Sequence, residues 1–209
     1  MSFGFLDTGL MYRACTLAVL DAGIDPSDEQ AFIQLVRSLD LEIRWPDPAR
    51  PHVFIGGDDV TARLRGPEIE ANVSLISRVP EVRDEMVRRQ RELAANGPIV
   101  MAGRDIGTRV LVEARTKVFL DASSEVRARR RLGEERDAGR ASTFDRVLDQ
   151  TRRRDEMDST GKRAIRPEQA APDALVIDTD PRGIDEVVAM VLEAYRAMER
   201  GDRAAAFDR

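Results

Sequence analysis

The sequence predicts an α/β fold in which helices flank a parallel sheet that carries a small α+β insert. Three short apolar runs are typical of strands buried on both faces of such a sheet, at residues 98–103, 116–121 and 174–178. Long amphipathic segments alternate with these runs and predict helices over about 124–138, 142–157 and 183–198. This alternation of strand and helix indicates βαβ units.

Two helices are predicted before the insert. Apolar side chains recur with helical spacing over residues 9–22, and Gly23 is a common C-terminal stop. A second helix is predicted from Ser27 or Asp28 to about Leu39, because serine and aspartate favour the N-cap position. Both helices precede the change of pattern that marks the insert.

The insert is predicted to contain a ribbon and then helices. Residues 41–45 and 52–55 alternate between apolar and polar side chains, which indicates a small two-stranded ribbon. Helical patterns resume near Pro67 and again at Pro80, where proline suits a first turn. The tail after Arg200 is expected to fray.

Composition places the chain among soluble globular proteins. Its 209 residues are 42% hydrophobic and 34% charged, and the net charge of −5 argues against a general nucleic-acid binder. Cys15 is the only cysteine, so an internal disulfide is impossible. No apolar run approaches membrane-spanning length, and residues 1–6 resemble no signal or transit peptide. We therefore expect a cytoplasmic protein with a small-molecule partner.

Two motifs lie at the ends of predicted elements, where ligands commonly bind. One follows a strand and the other lies at the start of a helix. Gly103-Arg104-Asp105 continues to Thr108 at the carboxyl end of a predicted strand, although an Arg-Asp pair there is as often structural. Thr8 and Arg13 lie at the start of the first helix, where a helix N-terminus and an arginine fork would suit phosphate. The alternative for Thr8 is a plain N-cap.

An arginine-rich segment spans residues 151–159 and is followed by Lys162 and Arg163. Such a run is usually a solvated face. Alternatively, several cations around one point would neutralise the oxygens of a transferring phosphoryl group.

Together these segments resemble the cytidylate kinase family from Phe5 to about Ala194. The motifs that carry the resemblance follow the family's order: Leu-Asp-Thr-Gly-x-Met-Tyr-Arg from Leu6, Ser74 with Pro80 and Arg83, Gly-Arg-Asp-Ile-Gly-Thr from Gly103, Phe-Leu-Asp-Ala-Ser from Phe119, and Arg-Asp-x-x-Asp-Ser from Arg154. The resemblance implies one P-loop nucleoside-monophosphate-kinase-like domain. Its implied parts are a core of residues 1–38 and 97–199, a CMP-binding insert at 39–96, a lid at about 127–163 and a tail at 200–209.

The resemblance also implies how a CMP or dCMP substrate would be recognised. Ser74, Arg83 and Asp105 would contact the cytosine edge, whose amino group suits a carboxylate and whose ring acceptors suit arginine and hydroxyl. Asp158 would accept hydrogen bonds from the ribose hydroxyls.

The remaining implied residues would act on phosphate. Arg13 and Arg104, with Thr8 beside them, would hold the monophosphate. Arg154 and Arg163 would close from the lid over the phosphoryl group that ATP donates, and they would exclude water. Positioning and charge stabilisation supply most phosphoryl-transfer catalysis, so no covalent intermediate is expected.

One family element is not found in the sequence. The family's phosphate loop has the pattern Gly-x-x-x-x-Gly-Lys-Ser/Thr, which binds ATP phosphates and Mg²⁺. The only Gly-Lys pair is Gly161-Lys162, where Glu156 and Arg163 break the pattern. We expect the first, P-loop strand to be missing because of a misplaced start codon or a truncation, with ATP and Mg²⁺ bound through that segment. The strands near Ile99 and Val176 would then lack a partner.

A second departure concerns the lid. Two extra residues, which we place at Gly161-Lys162, precede Arg163, and Arg166-Pro167-Glu168 stands where the family usually continues Ala-Pro-Leu. The residues that remain have structural interpretations. His52 has no neighbouring ligand or base in the sequence, Cys15 suits helix packing, and Trp45 is expected to pack the insert.

Four hypotheses remain open at this point. The first is a Mg²⁺- and ATP-dependent CMP/dCMP kinase that acts as a monomer, with no metal ligand assigned within the 209 residues. The second is a non-catalytic CMP-binding or regulatory protein derived from such a kinase. The third is an interaction fragment or an unstable pseudogene product, and the fourth is a kinase for another nucleoside monophosphate.

Overall fold

The computed structural model describes residues 3–137, 139–159 and 167–202, with side chains for all of these except 154 and 157–159. The chain divides into two compact units, Met1–Ile106 and Gly107–Arg209. Each unit contains one pair of parallel strands flanked by helices. The α/β prediction is therefore confirmed.

The first unit is built on strands β1 (Gly4–Asp7) and β5 (Ile99–Ala102), which run parallel with Gly4 opposite Ile99. The Thr8 N–H extends this pairing by donating to the Ala102 carbonyl at 2.9 Å. Sequence patterns predicted β5 but missed β1. Both strands have four residues, but β5 is a continuous apolar run, whereas β1 has only two apolar side chains, Phe5 and Leu6, between Gly4 and Asp7.

Four helices of the first unit agree with the sequence prediction: α1 (Gly9–Asp21), α2 (Glu29–Ser38), α3 (Pro67–Ser77) and α4 (Pro80–Ala95). Local signals explain their ends. The Asp28 carboxylate accepts a hydrogen bond from the Ala31 N–H at 3.1 Å and so caps α2. Gly23 follows α1 with φ of 66°, a conformation that glycine adopts at little cost.

The ribbon has three strands, not the two predicted: β2 (Leu41–Asp47), β3 (Arg50–Ile55) and β4 (Asp58–Asp59). Gly56 and Gly57, both with positive φ, form the turn that brings β4 back onto β3. The ribbon also covers the outer edge of β1. Trp45 Nε1 donates to the Phe5 carbonyl at 2.8 Å, and the Phe5 N–H donates to the Pro48 carbonyl at 2.8 Å.

One apolar cluster forms the core of the first unit. It takes side chains from β1, all four helices, the ribbon and the 3₁₀ turn Thr61–Arg65, among them Leu6, Phe32, Val53, Leu64 and Ile76. The insert predicted from the sequence therefore shares its core with α1 and α2.

The second unit pairs β6 (Val118–Asp121) with β7 (Leu175–Asp178) in parallel. Its helices are α5 (Ser124–Asp137), α6 (Phe144–Ser159) and α7 (Ile184–Glu199). All five elements fall where the sequence predicted them. Leu175 and Ile177 pack against Ala194 of α7 and form a small core.

The predicted burial of the strands on both faces is wrong for the described residues. Ile99 and Met101 pack against the core of the first unit, whereas Val100 between them is 51% exposed. In β7, Val176 is 42% exposed between two buried residues. Alternate side chains of a strand point to opposite faces, and only one face of each pair is covered. Within the described ranges, β5 has one partner strand, β1, and β7, the strand that contains Val176, also has one, β6.

Candidate active site

Thr8 and Gly103 lie side by side at the carboxyl ends of β1 and β5. Thr8 is buried, and its hydroxyl donates to the Ala102 carbonyl at 3.0 Å. A Cβ atom built on Gly103 would lie only 2.4 Å from Thr8 Oγ1, so this position requires glycine as long as the threonine hydroxyl stays in place. The hydroxyl proton is committed to Ala102, which leaves the oxygen lone pairs for a ligand donor.

Arg83 and Asp105 form a buried ion pair, in which Arg83 Nη2 donates to Asp105 Oδ2. Arg83 lies in the first turn of α4, which Pro80 opens, and Asp105 follows β5 by three residues. Their side chains are only 10% and 12% exposed. A charge removed from water to this extent requires a partner, and each residue supplies it for the other.

Arg13 points from α1 towards the insert. Its Nη1 donates to the Leu64 carbonyl at 3.1 Å and lies 2.9 Å from Glu70 Oε1 of α3. The side chains of Arg13 and Glu70 are 17% and 29% exposed. Glu70 was missed in the sequence analysis. The only feature of the sequence that could have pointed to Glu70 is its acidic side chain one helical turn before Ser74.

The other two predicted residues of the first unit lie at partly exposed positions. Ser74 is half-buried on α3, on the same face as Glu70 because the two are four residues apart. Within the described ranges Ser74 makes no hydrogen bond to Arg83 or Asp105. Arg104 is half-buried and directly follows Gly103. The first unit thus places predicted phosphate and cytosine residues at two strand ends and on three helices.

Ion pairs join α5 to α6 in the predicted lid. Arg127 donates to both carboxylate oxygens of Asp155, at 2.9 and 2.5 Å, and this hydrogen bonding raises the pKa of Arg127. Arg152 Nη2 donates to Glu125 Oε1 at 2.6 Å. One arginine of the 151–159 segment, Arg152, thus pairs with a carboxylate of α5, and its side chain is 53% exposed, as on a solvated face.

Three predicted residues of the lid cannot be placed. Arg154 and Asp158 belong to the backbone of α6, but their side chains lie outside the described part of the structure. Arg163 lies outside the described residues, as do Gly161 and Lys162.

His52 and Cys15 occupy structural positions. His52 Nδ1 lies 2.6 Å from Asp59 Oδ2, so the expectation that no base lies near this histidine was wrong. Hydrogen bonds from Thr61 and then from His52 lower the pKa of Asp59 to about 2. Burial raises the pKa of Cys15 to about 12, and its Sγ lies 3.6 Å from Met86 Sδ in the core. The thiol is therefore protonated and unreactive at neutral pH.

Within the described ranges, no group of three or more His, Cys, Asp or Glu residues is arranged to hold a metal ion, so we assign no Mg²⁺ ligand. No helix within the same ranges is long and apolar enough to cross a membrane.

The family model and the relatives that match this chain carry the same family description. A family model described as cytidylate kinase matches residues 1–197. The chain is 47% identical to a cytidylate kinase of Corynebacterium efficiens over 92% of this chain and 83% of the relative. It is 48% identical to that of Corynebacterium glutamicum over 94% and 85%, and 45% identical to that of Geobacillus kaustophilus over 92% and 85%. The chain belongs to the cytidylate kinase family, whose members are nucleoside-monophosphate kinases.

Proposed function

We propose that this protein transfers the γ-phosphoryl group of ATP to CMP or dCMP and so produces CDP or dCDP. The observation that carries the proposal is the buried Arg83–Asp105 pair after β5. A carboxylate beside a guanidinium complements the cytosine edge, which offers an amino donor next to ring acceptors. Uracil has a carbonyl in place of the amino group and would meet the carboxylate with a second acceptor. Ser74 would complete the base site.

The monophosphate would bind near the strand ends of the first unit. Arg13 and Arg104 would supply the positive charge, and Thr8 would accept a hydrogen bond from the substrate or from an arginine. Arginine suits this task because its planar guanidinium matches two phosphate oxygens at once. In this assignment residues 39–96 are the CMP-binding insert.

The lid would be formed by residues of about 127–163. Arg154 and Arg163 would neutralise the transferring phosphoryl group, and Asp158 would hold the ribose. Arg127 of α5 pairs with Asp155 of α6, and Arg152 of α6 pairs with Glu125 of α5. These two ion pairs support a lid in which α5 and α6 move together. Mg²⁺ would arrive with ATP and offset negative charge on its phosphates. We propose a cytoplasmic monomer.

A coupled assay of ADP formation with CMP, dCMP and UMP tests the activity. We expect turnover of CMP or dCMP and a clear preference over UMP. Asp105→Asn keeps the shape of the side chain but replaces one acceptor by a donor, so it should reduce the ratio of kcat/KM for CMP to that for UMP by about tenfold or more. Equal use of UMP and CMP by the unmodified protein would overturn the substrate assignment.

A second candidate is a CMP-binding protein without kinase activity. It would use the same buried Arg83–Asp105 pair for the base and would differ from the first candidate only in not transferring a phosphoryl group. Calorimetry separates the two candidates. CMP binding without formation of CDP would favour the binding protein, and CDP formation would exclude it.

A further inference from the structure

We propose that Glu70 is a positioning residue for the substrate phosphate and that it acts through Arg13. The inference rests on the proposed function, because it assumes that Arg13 binds the monophosphate. It assigns a role to a residue that none of the motifs shared with the family includes.

The geometry fixes one edge of the Arg13 guanidinium. Nη1 donates a hydrogen bond to the Leu64 carbonyl at 3.1 Å and forms an ion pair with Glu70 Oε1 at 2.9 Å. Among the described residues, Arg13 makes this hydrogen bond and this ion pair through Nη1 alone. Nε and Nη2, which form the other edge of the guanidinium, are thus left to a ligand.

This arrangement favours a bidentate contact with phosphate. An arginine grips two oxygens only when they lie in the plane of its guanidinium along one edge, and a long side chain loses rotational freedom when it is fixed there. The hydrogen bond to Leu64 alone would still allow that plane to turn. A hydrogen bond to the 3₁₀ turn together with an ion pair to α3 restricts the rotation before the substrate arrives.

The charge of Glu70 acts in the opposite direction. A carboxylate close to a bound phosphate repels it, so the positioning effect must exceed this repulsion for Glu70 to improve binding. Substitution separates the two effects. Glu70→Ala removes both the side-chain oxygen in contact with Nη1 and the charge, whereas Glu70→Gln keeps an oxygen within reach of Nη1 and removes the charge.

Calorimetric titration with CMP and with cytidine tests the proposal, since cytidine lacks the phosphate. We expect Glu70→Ala to raise the Kd for CMP roughly tenfold and to leave cytidine binding within about twofold, because Arg13 loses the ion pair that holds it ready for the phosphate. Glu70→Gln should bind CMP as well as the unmodified protein or better. Glu68→Ala is the matched control, because Glu68 is an exposed acidic residue in the same first turn of α3.

A double-mutant cycle with Arg13→Ala shows whether Glu70 acts through Arg13. In the Arg13→Ala background, Glu70→Ala should cause no further loss of CMP affinity. The proposal would be overturned by tighter CMP binding in Glu70→Ala, by equal losses for CMP and cytidine, or by Glu70→Gln binding as weakly as Glu70→Ala. If the unmodified protein binds no CMP, the proposed function itself fails.

Discussion

At the residue scale, the Arg83–Asp105 pair is the contact whose loss should lower the free energy of unfolding most. Asp105→Ala would leave the Arg83 charge buried without its partner, so we expect a loss of about 3–5 kcal/mol in the free energy of unfolding. Urea unfolding followed by circular dichroism measures this loss. Glu92→Ala is the control, because the Arg88–Glu92 pair is exposed and its loss should leave the free energy of unfolding nearly unchanged. Equal losses in the two variants would contradict the buried pairing.

Gly103 gives a second test at the same scale. Gly103→Ala would place a methyl group 2.4 Å from Thr8 Oγ1 and should destabilise the protein by about 1–3 kcal/mol. In a Thr8→Ala background the hydroxyl is gone, so the cost of Gly103→Ala should be clearly smaller. Gly133→Ala in α5 is the contrasting variant. Nothing lies within 4 Å of its Cβ position, and alanine should stabilise the helix there by up to about 1 kcal/mol.

Sequence reasoning identified the residues of the candidate site better than their contacts. The motif from Gly103 pointed to Asp105, and Pro80 with Arg83 pointed to the start of α4. That these two side chains meet depends on how α4 packs beside β5, across a separation of 22 residues. Glu70 could not be selected for the same reason, because nothing local distinguishes it from the other acidic residues of α3.

At the scale of elements, the ribbon carries a pH dependence that the sequence did not reveal. The pKa of Asp59 lies at about 2 against an ordinary value of 3.8, mainly through hydrogen bonds from Thr61 and then from His52. A lowered pKa in the folded state means that this contact stabilises the ribbon above about pH 4. The contribution is lost as the pH falls through 2.

Nuclear magnetic resonance titration of the Asp59 carboxyl group checks this pH dependence. We expect a midpoint near 2 in the unmodified protein. Thr61→Val should move the midpoint upwards more than His52→Gln, because Thr61 is the larger cause. A midpoint near 3.8 without any substitution would contradict the hydrogen-bonded turn between β4 and the 3₁₀ turn.

Elements with a clear local pattern could be predicted from the sequence and the others could not. The patterns gave α1 to α7 with ends correct to within a few residues, because caps, prolines and helical periodicity act locally. They gave the four-residue strands β5, β6 and β7 as apolar runs, but they missed β1, which has only two apolar residues, and β4, which is the pair Asp58–Asp59. They also led to the wrong prediction that the strands are buried on both faces, since an apolar run is compatible with one covered face or two.

At the scale of the whole molecule, the two units differ in how their helices are held. In the first unit, α1 buries Met11, Ala14, Cys15 and Val19 in one large core. In the second, α5 and α6 share a small cluster of Ala128, Leu132 and Val147. Exposed or half-exposed ion pairs supply much of the remaining contact between α5 and α6. The sequence carries a sign of this difference, because α1 is mostly apolar, whereas α5 and α6 consist largely of arginine and acidic residues.

Hydrogen exchange followed by mass spectrometry tests this difference. Amides of α1 should exchange slowest, since exposing them opens the large core, and amides of α5 and α6 should exchange faster. Raising sodium chloride from about 0.1 M to 1 M shortens the Debye length from about 10 Å to 3 Å and weakens exposed ion pairs. Exchange in α5 and α6 should therefore accelerate relative to an unfolded reference, while α1 stays unchanged. Equal protection of the three helices, or an equal response to salt, would show that ion pairs do not limit the opening of α5 and α6.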